Sequence, residues 1–357
     1  MGTRLLRSEF AVTGTLVFAV PGDLSTPTGG YAYDRRMIAE LERLAGPITV
    51  LDLGEGFPRP DPAIRTAALA RLAAIPPDCP VLIDGLALGV LPEVVALRRS
   101  HRLIALVHHP LALESGLSEP EIEALRASER TALAAVRHVV TTSQAVARIL
   151  IADYGVREAQ ITIAPPGTDP APAARGSGGP AVVLLAVGAI TPRKGYDVLV
   201  AALGMVRDPP WRLTIVGDRH RDPKASARLE ADIARLGLSD RITLAGAVSP
   251  PQLEAFYDGA DLFVLASRFE GYGMAFADAM ARGLPIIGTI AGAIPDTAPP
   301  ALLVPPDNPV ALAAALDRLI GDNRVRRRLA VATRQAARDL PAWSTSARRL
   351  AQAVAGT

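Results

Sequence analysis

At 357 residues the chain has room for two domains of ordinary size. With 49% hydrophobic and 21% charged residues it is a globular sequence, which excludes a disordered or fibrous chain. A net charge of +2 gives no electrostatic argument for nucleic acid, and the lone Cys79 excludes an internal disulfide framework and suits a reducing cytoplasm.

Residues 10–20, after Arg4 and Arg7, have the outline of a secretory leader, but Thr13, Gly14 and Thr15 interrupt them and no small-residue cleavage site follows. A first buried strand over 15–20 is the better reading. Apolar runs predict further strands at 48–53, 81–83, 103–107, 139–142 and 161–164, separated by helical patterns such as 33–44, 62–74, 119–136 and 145–154. Strands alternating with helices mean βαβ units and a parallel sheet. Residues 165–180, PPGTDPAPAARGSGGP, have no periodicity and read as a connector. The expected division is a first domain over 1–169, a linker over 170–180 and a second domain over 181–342. In the second domain strands are predicted at 182–187, 212–216, 242–244, 261–265, 285–288 and 301–304, with helices at 196–206, 225–236 and 250–257. Helical patterns at 309–320, 324–340 and 343–355 close the chain without further strands. No run approaches the ~18 uninterrupted apolar residues that a membrane-spanning helix needs.

Ligands of open α/β sheets bind beyond the C-terminal ends of the strands, so the loops that follow strands carry the chemistry. The most informative stretch is 266–287, ASRFEGYGMAFADAMARGLPII. Gly271, Tyr272 and Gly273 form a turn, a helix is predicted from Met274 to Arg282, and Gly283 stands where a C′ glycine would close it. A turn feeding a helix N-terminus aims unpaired N–H groups and a positive dipole end at one point, a ready site for phosphate. Glu270 before the turn and Asp278 on the helix would repel phosphate and suit hydroxyl groups flanking it. The loop 188–195, GAITPRKG, offers Gly188 and the cations Arg193 and Lys194. Only two of the 38 basic residues are lysine, Lys194 and Lys224, so this placement is informative. A solvated basic turn is the plain alternative. The loop 21–30 ends in Gly29 and Gly30 ahead of a helix beginning near Tyr31, an arrangement that a tight turn alone would also explain. His108 and His109 follow the strand ending at Val107, as a reactive pair or as buried or capping histidines.

At these residues the chain resembles the retaining, nucleotide-sugar-dependent glycosyltransferases of family 4, whose pattern is E-G-F-G followed by an E-A-M-A-x-G-x-P helix. The resemblance implies the GT-B fold: two Rossmann-like, doubly wound parallel-sheet domains facing a cleft, with the helix over 343–357 crossing back to the first. It implies that Glu270 binds the donor sugar and that Asp278, where the family usually has glutamate, binds the ribose. By the same resemblance Gly29 and Gly30 approach the donor diphosphate, His108 lies near the reacting sugar with His109 in reserve, and Gly217 and Asp218 match a V-G-D turn at the cleft mouth. Gly246, Ala247 and Val248 fall where relatives surround the nucleobase. Ala291–Asp296 resembles a G-G-x-P-E loop. Ala189 stands where many relatives carry arginine, which shifts the diphosphate role to Arg193 and Lys194. Closure of the two domains over the donor is expected.

The expected reaction moves a hexose from a nucleoside diphosphate sugar to a glycan, lipid or small-molecule acceptor, without cofactor or metal. His101, His138 and His220 show no metal-ligand spacing, and there is no G-x4-G-K-[ST], D-x-D or G-x-S-x-G motif. Arg324, Arg326, Arg327 and Arg328 form either a solvated helix face or a peripheral contact with the inner face of a membrane. A nucleotide-sugar epimerase of the same fold would need acid–base carboxylates that cannot be placed in the first domain from sequence. A non-catalytic nucleotide-sugar-binding protein is the remaining reading, favoured by Ala189, Asp278 and Asp296.

Overall fold

The computed structural model describes residues 15–206 and 209–357. It divides into two compact units, one running to Gly167 and including Pro341–Thr357, the other spanning Thr168–Leu340. The part of the leader-like stretch before residue 15 lies outside the described residues.

The first unit holds a parallel sheet of β1 (Val17–Val20), β2 (Thr49–Asp52), β3 (Pro80–Asp84), β4 (Arg102–Val107), β5 (His138–Thr141) and β6 (Ile161–Ile163), in the order 2-1-3-4-5-6. Runs such as Val-Phe-Ala-Val in β1 are buried on both faces, as a central parallel strand must be, whereas β2 at the edge is largely exposed. Its helices are α1 (Gly29–Ala45), α2 (Pro62–Ala73), the single turn α3 (Gly85–Leu88), α4 (Glu119–Leu133) and α5 (Gln144–Tyr154). Thr28 caps α1 through the Tyr31 N–H, so Gly29 and Gly30 are the first two residues of the helix and not a turn ahead of it.

The second unit repeats the plan with β7 (Val182–Val187), β8 (Trp211–Val216), β9 (Ile242–Gly246), β10 (Leu262–Val264), β11 (Ile286–Thr289) and β12 (Leu302–Val304), all parallel, in the order 12-11-10-7-8-9. Its helices are α6 (Tyr196–Leu203), α7 (Pro223–Arg235), α8 (Pro250–Asp258), α9 (Met274–Ala281), the single turn α10 (Ile294–Thr297), α11 (Pro309–Gly321) and α12 (Asn323–Ala336). Its core is one continuous apolar cluster in which Phe263 meets Phe276 edge-on at 5.3 Å and Trp211 is sealed by Arg241 at 3.8 Å. The stretch 170–180 is tied down along this unit: Ala174 N–H donates to the Arg282 carbonyl, Gly176 N–H to Asp258, and Ser177 binds the Asp261 carboxylate.

Helix α13 (Trp343–Ala355) belongs to the first unit, where it packs on α1 and the β5–β6 edge. Trp343 lies 5.8 Å from the Tyr33 ring and so close to Gly167 that a Cβ there would meet its backbone nitrogen at 2.2 Å. Among the described residues no helix is long and apolar enough to cross a membrane. Arg324, Arg327 and Arg328 are exposed, while Arg326 donates to the Leu319 and Ile320 carbonyls at 2.6 and 2.8 Å and closes α11.

In each sheet the strand order reverses once, between β1 and β3 and between β7 and β10. These switch points open crevices at the C-terminal strand ends, where doubly wound sheets bind ligands. Close approach of the loops there is demanding: a Cβ on Gly217 would lie 1.9 Å from the Gly188 carbonyl oxygen. Gly217→Ala is therefore expected to force apart the loops after β7 and β8 and to lower stability by roughly 1–3 kcal/mol, read by chemical denaturation.

Candidate functional site

At the second switch point the loops after β7 and β10 bring Arg193, Lys194 and Glu270 together. The Lys194 Nζ donates to Glu270 Oε1 at 2.6 Å, and Ser267 Oγ donates to the same oxygen at 2.6 Å. Arg193 Nη1 donates to the Phe269 carbonyl at 2.9 Å and stands 3.6 Å from Glu270 Oε2. Burial alone would raise the Glu270 pKa, but Lys194 and then Arg193 outweigh it and hold the carboxyl below its ordinary range. The two cations are not a solvated turn: their side chains are 17% and 14% exposed.

Local sequence explains the placement. Lys194 crosses the floor of the loop because Gly188 has no side chain; a Cβ there would meet Lys194 Cε at 2.9 Å. Tyr196, the first residue of α6, donates its hydroxyl to the Gly188 carbonyl at 2.7 Å and fixes that loop. Gly273 takes φ +94° as the N-cap of α9 and aims the first-turn N–H groups of Met274 and its neighbours out of the strand–helix turn. Gly283 ends the segment in a left-handed conformation, its N–H on the Met280 carbonyl at 2.8 Å.

Asp278 lies on the same helix, half-buried, with Arg282 bonded to its backbone carbonyl at 3.0 Å. Burial, reinforced by Asp169 and Glu254 against the pull of Arg282, raises its carboxyl to about 6. Tyr272 stands in its field, its carbonyl held by Thr297 Oγ1 at 2.6 Å. Gly217 is packed against Gly188, its N–H on the Gly246 carbonyl at 2.9 Å, so it shapes the crevice through backbone contact. Val248 is half-buried in the loop between β9 and α8. Gly271 and Met274 flank the turn beside Glu270. Ala291–Asp296 runs under Glu270, whose carbonyl accepts the Ala293 N–H at 2.9 Å.

In the first unit the end of β3, the loop after β4 and the first turns of α1 gather a second group. His108 Nε2 is 3.1 Å from Asp34 Oδ1 and 3.8 Å from Asp84 Oδ2. Gly30 faces the ring: a Cβ there would lie 3.3 Å from His108 Cδ2, while one on Gly29 would meet nothing within 4 Å. Tyr33 packs edge-on at 5.1 Å. His109 does not join the group and stands 3.5 Å from Glu114. The buried Glu129 accepts the Leu111 N–H at 3.0 Å and anchors the loop that carries both histidines. Asp34 and Asp84 are functional-group candidates that sequence reasoning passed over. Asp34 sits on a helix face like any surface acid, and Asp84 ends an apolar strand as an apparent N-cap. Asp34, Asp84 and His108 have ligand atoms within 4.8 Å of one another, a donor set that a divalent cation would also accept.

Lys194→Ala leaves Glu270 buried with only Ser267 and the more distant Arg193. We expect a stability loss on the order of 3 kcal/mol that Lys194→Arg largely restores, measured by denaturant unfolding at neutral pH.

Two family models match the chain: "Glycosyltransferase Family 4" over residues 26–172 and "Glycosyl transferases group 1" over residues 181–322. The mannosylfructose-phosphate synthase of Agrobacterium fabrum is 34% identical over 173 residues, covering 44% of this chain and 38% of that protein. The MMP alpha-(1->4)-mannosyltransferase of Mycolicibacterium hassiacum is 29% identical over 322 residues, 84% of this chain and 75% of that protein. The chain thus spans well under half of the first relative and three quarters of the second. Among solved structures, Anabaena HepE in complex with UDP-glucose superposes with a TM-score of 0.74 at 19% identity, covering 96% of this chain and all (100%) of that one.

Proposed function

Because the chain belongs to the family 4 glycosyltransferases of GT-B fold, we propose that it is a retaining hexosyltransferase using a nucleoside diphosphate sugar. The observation that carries this reading is the buried Lys194–Glu270 pair, with Arg193 beside it, at the switch point of the second sheet. The structural likeness to a protein seen with UDP-glucose supports a donor of that class.

In this reading the donor diphosphate lies against Arg193, Lys194 and the α9 N-terminus. Lys194 donates to Glu270 Oε1, and its ammonium charge is the feature that attracts the phosphate oxygens. As the glycosidic bond breaks, negative charge grows on the departing diphosphate, and these fixed cations stabilise it with little reorganisation. Glu270 Oε1 is saturated by Lys194 and Ser267, so Oε2 is the oxygen presented to a sugar hydroxyl. A carboxylate held so firmly as an anion is a weak nucleophile, which suits an orienting role rather than a covalent intermediate. Asp278 accepts from the ribose, the Gly188, Gly217, Gly271–Gly273 and Val248 loops shape the rest of the donor site, and His108, bordered by Gly30, acts on the reacting sugar. No metal is required. The acceptor is a glycan, a lipid or a small molecule.

An epimerase would use carboxylates of the first unit, and Asp34 and Asp84 are there. Both are buried, at 0% and 2% exposure, and turned onto His108 rather than outward, which favours the transferase. Isomerisation of the nucleotide-sugar without an acceptor would reverse that preference, and binding without release of nucleoside diphosphate would favour a non-catalytic protein.

Thermal shift and calorimetry with UDP, GDP, ADP and their hexose conjugates test the donor site. One nucleotide class at ~100 times its Kd is expected to stabilise the fold by ~2.7 kcal/mol. Lys194→Ala, compared with its own ligand-free form, should weaken that binding about 10- to 100-fold. Indifference to every nucleotide would sink the assignment. A separate expectation concerns pH. A ribose hydroxyl donates best to an ionised carboxylate, so donor affinity should fall several-fold as pH drops through about 6, where Asp278 takes up its proton. Asp278→Asn should flatten that dependence in calorimetric titrations.

A further inference from the structure

The Asp34–Asp84–His108 group has a charge problem that its geometry resolves. Two ionised carboxylates beside a neutral imidazole would place a double negative charge in the interior, at a cost burial makes prohibitive. Asp34 Oδ1 takes the N–H of His108 Nε2, while Asp34 Oδ2 is buried with no hydrogen-bond partner fixed for it among the described residues. The neighbour able to satisfy that oxygen is the Asp84 carboxyl, provided it carries a proton. The other Asp84 oxygen, Oδ1, accepts the Leu86 N–H at 2.6 Å, so Oδ2 is the proton-bearing side.

We propose that Asp34 and Asp84 are positioning residues that hold one proton between them and keep His108 as an imidazolium. Its Nε2–H is committed to Asp34, and its Nδ1–H acts as a fixed hydrogen-bond donor rather than a base. The group then holds two protons and no net charge. The ligand it recognises at Nδ1 is an oxygen acceptor, a sugar hydroxyl or a phosphate oxygen. That last step rests on the transferase reading; the protonation arrangement does not.

The surroundings agree. Tyr33, edge-on to the ring, gives its hydroxyl to the Ala164 carbonyl at 2.8 Å and offers no acid. Thr142 Oγ1 donates to the His108 carbonyl at 3.2 Å, which fixes the backbone and not the ring. Glu114 stands by His109. The two carboxylates are thus the charged groups that face the ring among the described residues. Burial pulls the His108 pKa down, but the charge and hydrogen bond of Asp34, then the charge of Asp84, raise it to about 9. Burial first, and Asp34 next, push Asp84 well above the carboxylate range. A histidine raised in this way adds stability below its unfolded pKa of ~6.5, and that stability is lost as pH climbs through about 9.

The test is nitrogen NMR of the full chain labelled at histidine, with His108 assigned by His108→Gln and spectra followed against pH for the wild type, Asp34→Asn and Asp84→Asn. The wild-type ring is expected to stay cationic to about pH 8. Asp34→Asn should lower its midpoint by about two units or more, below neutrality. Asp84→Asn should hold it within about one unit of wild type, because an amide N–H replaces the carboxyl proton toward Asp34. A neutral wild-type ring at pH 7, or an Asp84→Asn shift as large as that of Asp34→Asn, overturns the proposal.

Kinetics supply a second readout, the release of nucleoside diphosphate from the hexose conjugate that binds the wild type. The ratio of Asp34→Asn to wild-type rate should be about 20-fold lower, or more, at pH 8.5 than at pH 6. A merely structural role gives a constant ratio and overturns the assignment. If Asp34→Asn does not fold, the wild-type and Asp84→Asn spectra decide. Activity lost to a chelator, restored by a divalent cation and accompanied by a shift of the His108 signals, would put a metal in place of the shared proton and overturn it as well. Absence of nucleotide binding with a cationic His108 would instead fault the transferase reading and leave this one standing.

Discussion

The second unit is arranged around a carboxylate that would not be tolerated without its partners. Glu270 is 6% exposed, and an ionised carboxylate so deep costs several kcal/mol unless cations and donors meet it. Lys194 and Ser267 supply two short hydrogen bonds to one oxygen. That requirement reaches outward. Gly188 must lack a side chain for Lys194 to cross, Tyr196 must hold the Gly188 carbonyl, and Phe269 must offer its carbonyl to Arg193. The loops after β7 and β10 are therefore specified by electrostatics as much as by chain geometry. The apolar cluster beneath them provides the rigid frame, with Phe276 of α9 locked against Phe263 of β10.

The two switch points use related means for different ends. Each buries acidic groups and answers them with cations. In the second unit Arg193 and Lys194 both stand against one carboxylate, Glu270, at 3.6 and 2.6 Å. In the first unit the acids outnumber the basic group, Asp34 and Asp84 against His108. This difference follows from counting charges in each unit separately.

Most of the fold was legible because parallel α/β proteins write their strands as short apolar runs. Each of the twelve predicted strands overlaps an observed one, displaced by no more than a residue or two at most ends. The misreadings are local and have physical causes. Gly29 and Gly30 suggested a turn, yet the Thr28 cap starts the helix at Gly29, since helix starts tolerate glycine when a side chain satisfies the first N–H groups. The single turns at Gly85–Leu88 and Ile294–Thr297 were too short to show a helical period. The stretch 165–180, read as a linker, does contain the division between the units at Gly167 and Thr168, and Asp258 and Asp261 tie its later backbone to the second unit.

The site was legible unevenly, and the unevenness is informative. Glu270, Lys194 and the glycines around them lie in contiguous segments whose spacing carries their meaning. Asp34, Asp84 and His108 come from three separate elements, α1, the end of β3 and the loop after β4, and become one group only when the sheet order 2-1-3-4 sets those ends side by side. Nothing in a one-dimensional pattern separates Asp34 from the solvated acids of an ordinary helix. Its identity is topological: the crossover that carries the chain from β2 past β1 to β3 brings Asp84 beside α1, and the next strand brings His108. Contiguous motifs thus advertise the groups that one turn and its helix place together, while groups that tune a side chain through other side chains emerge only with the fold.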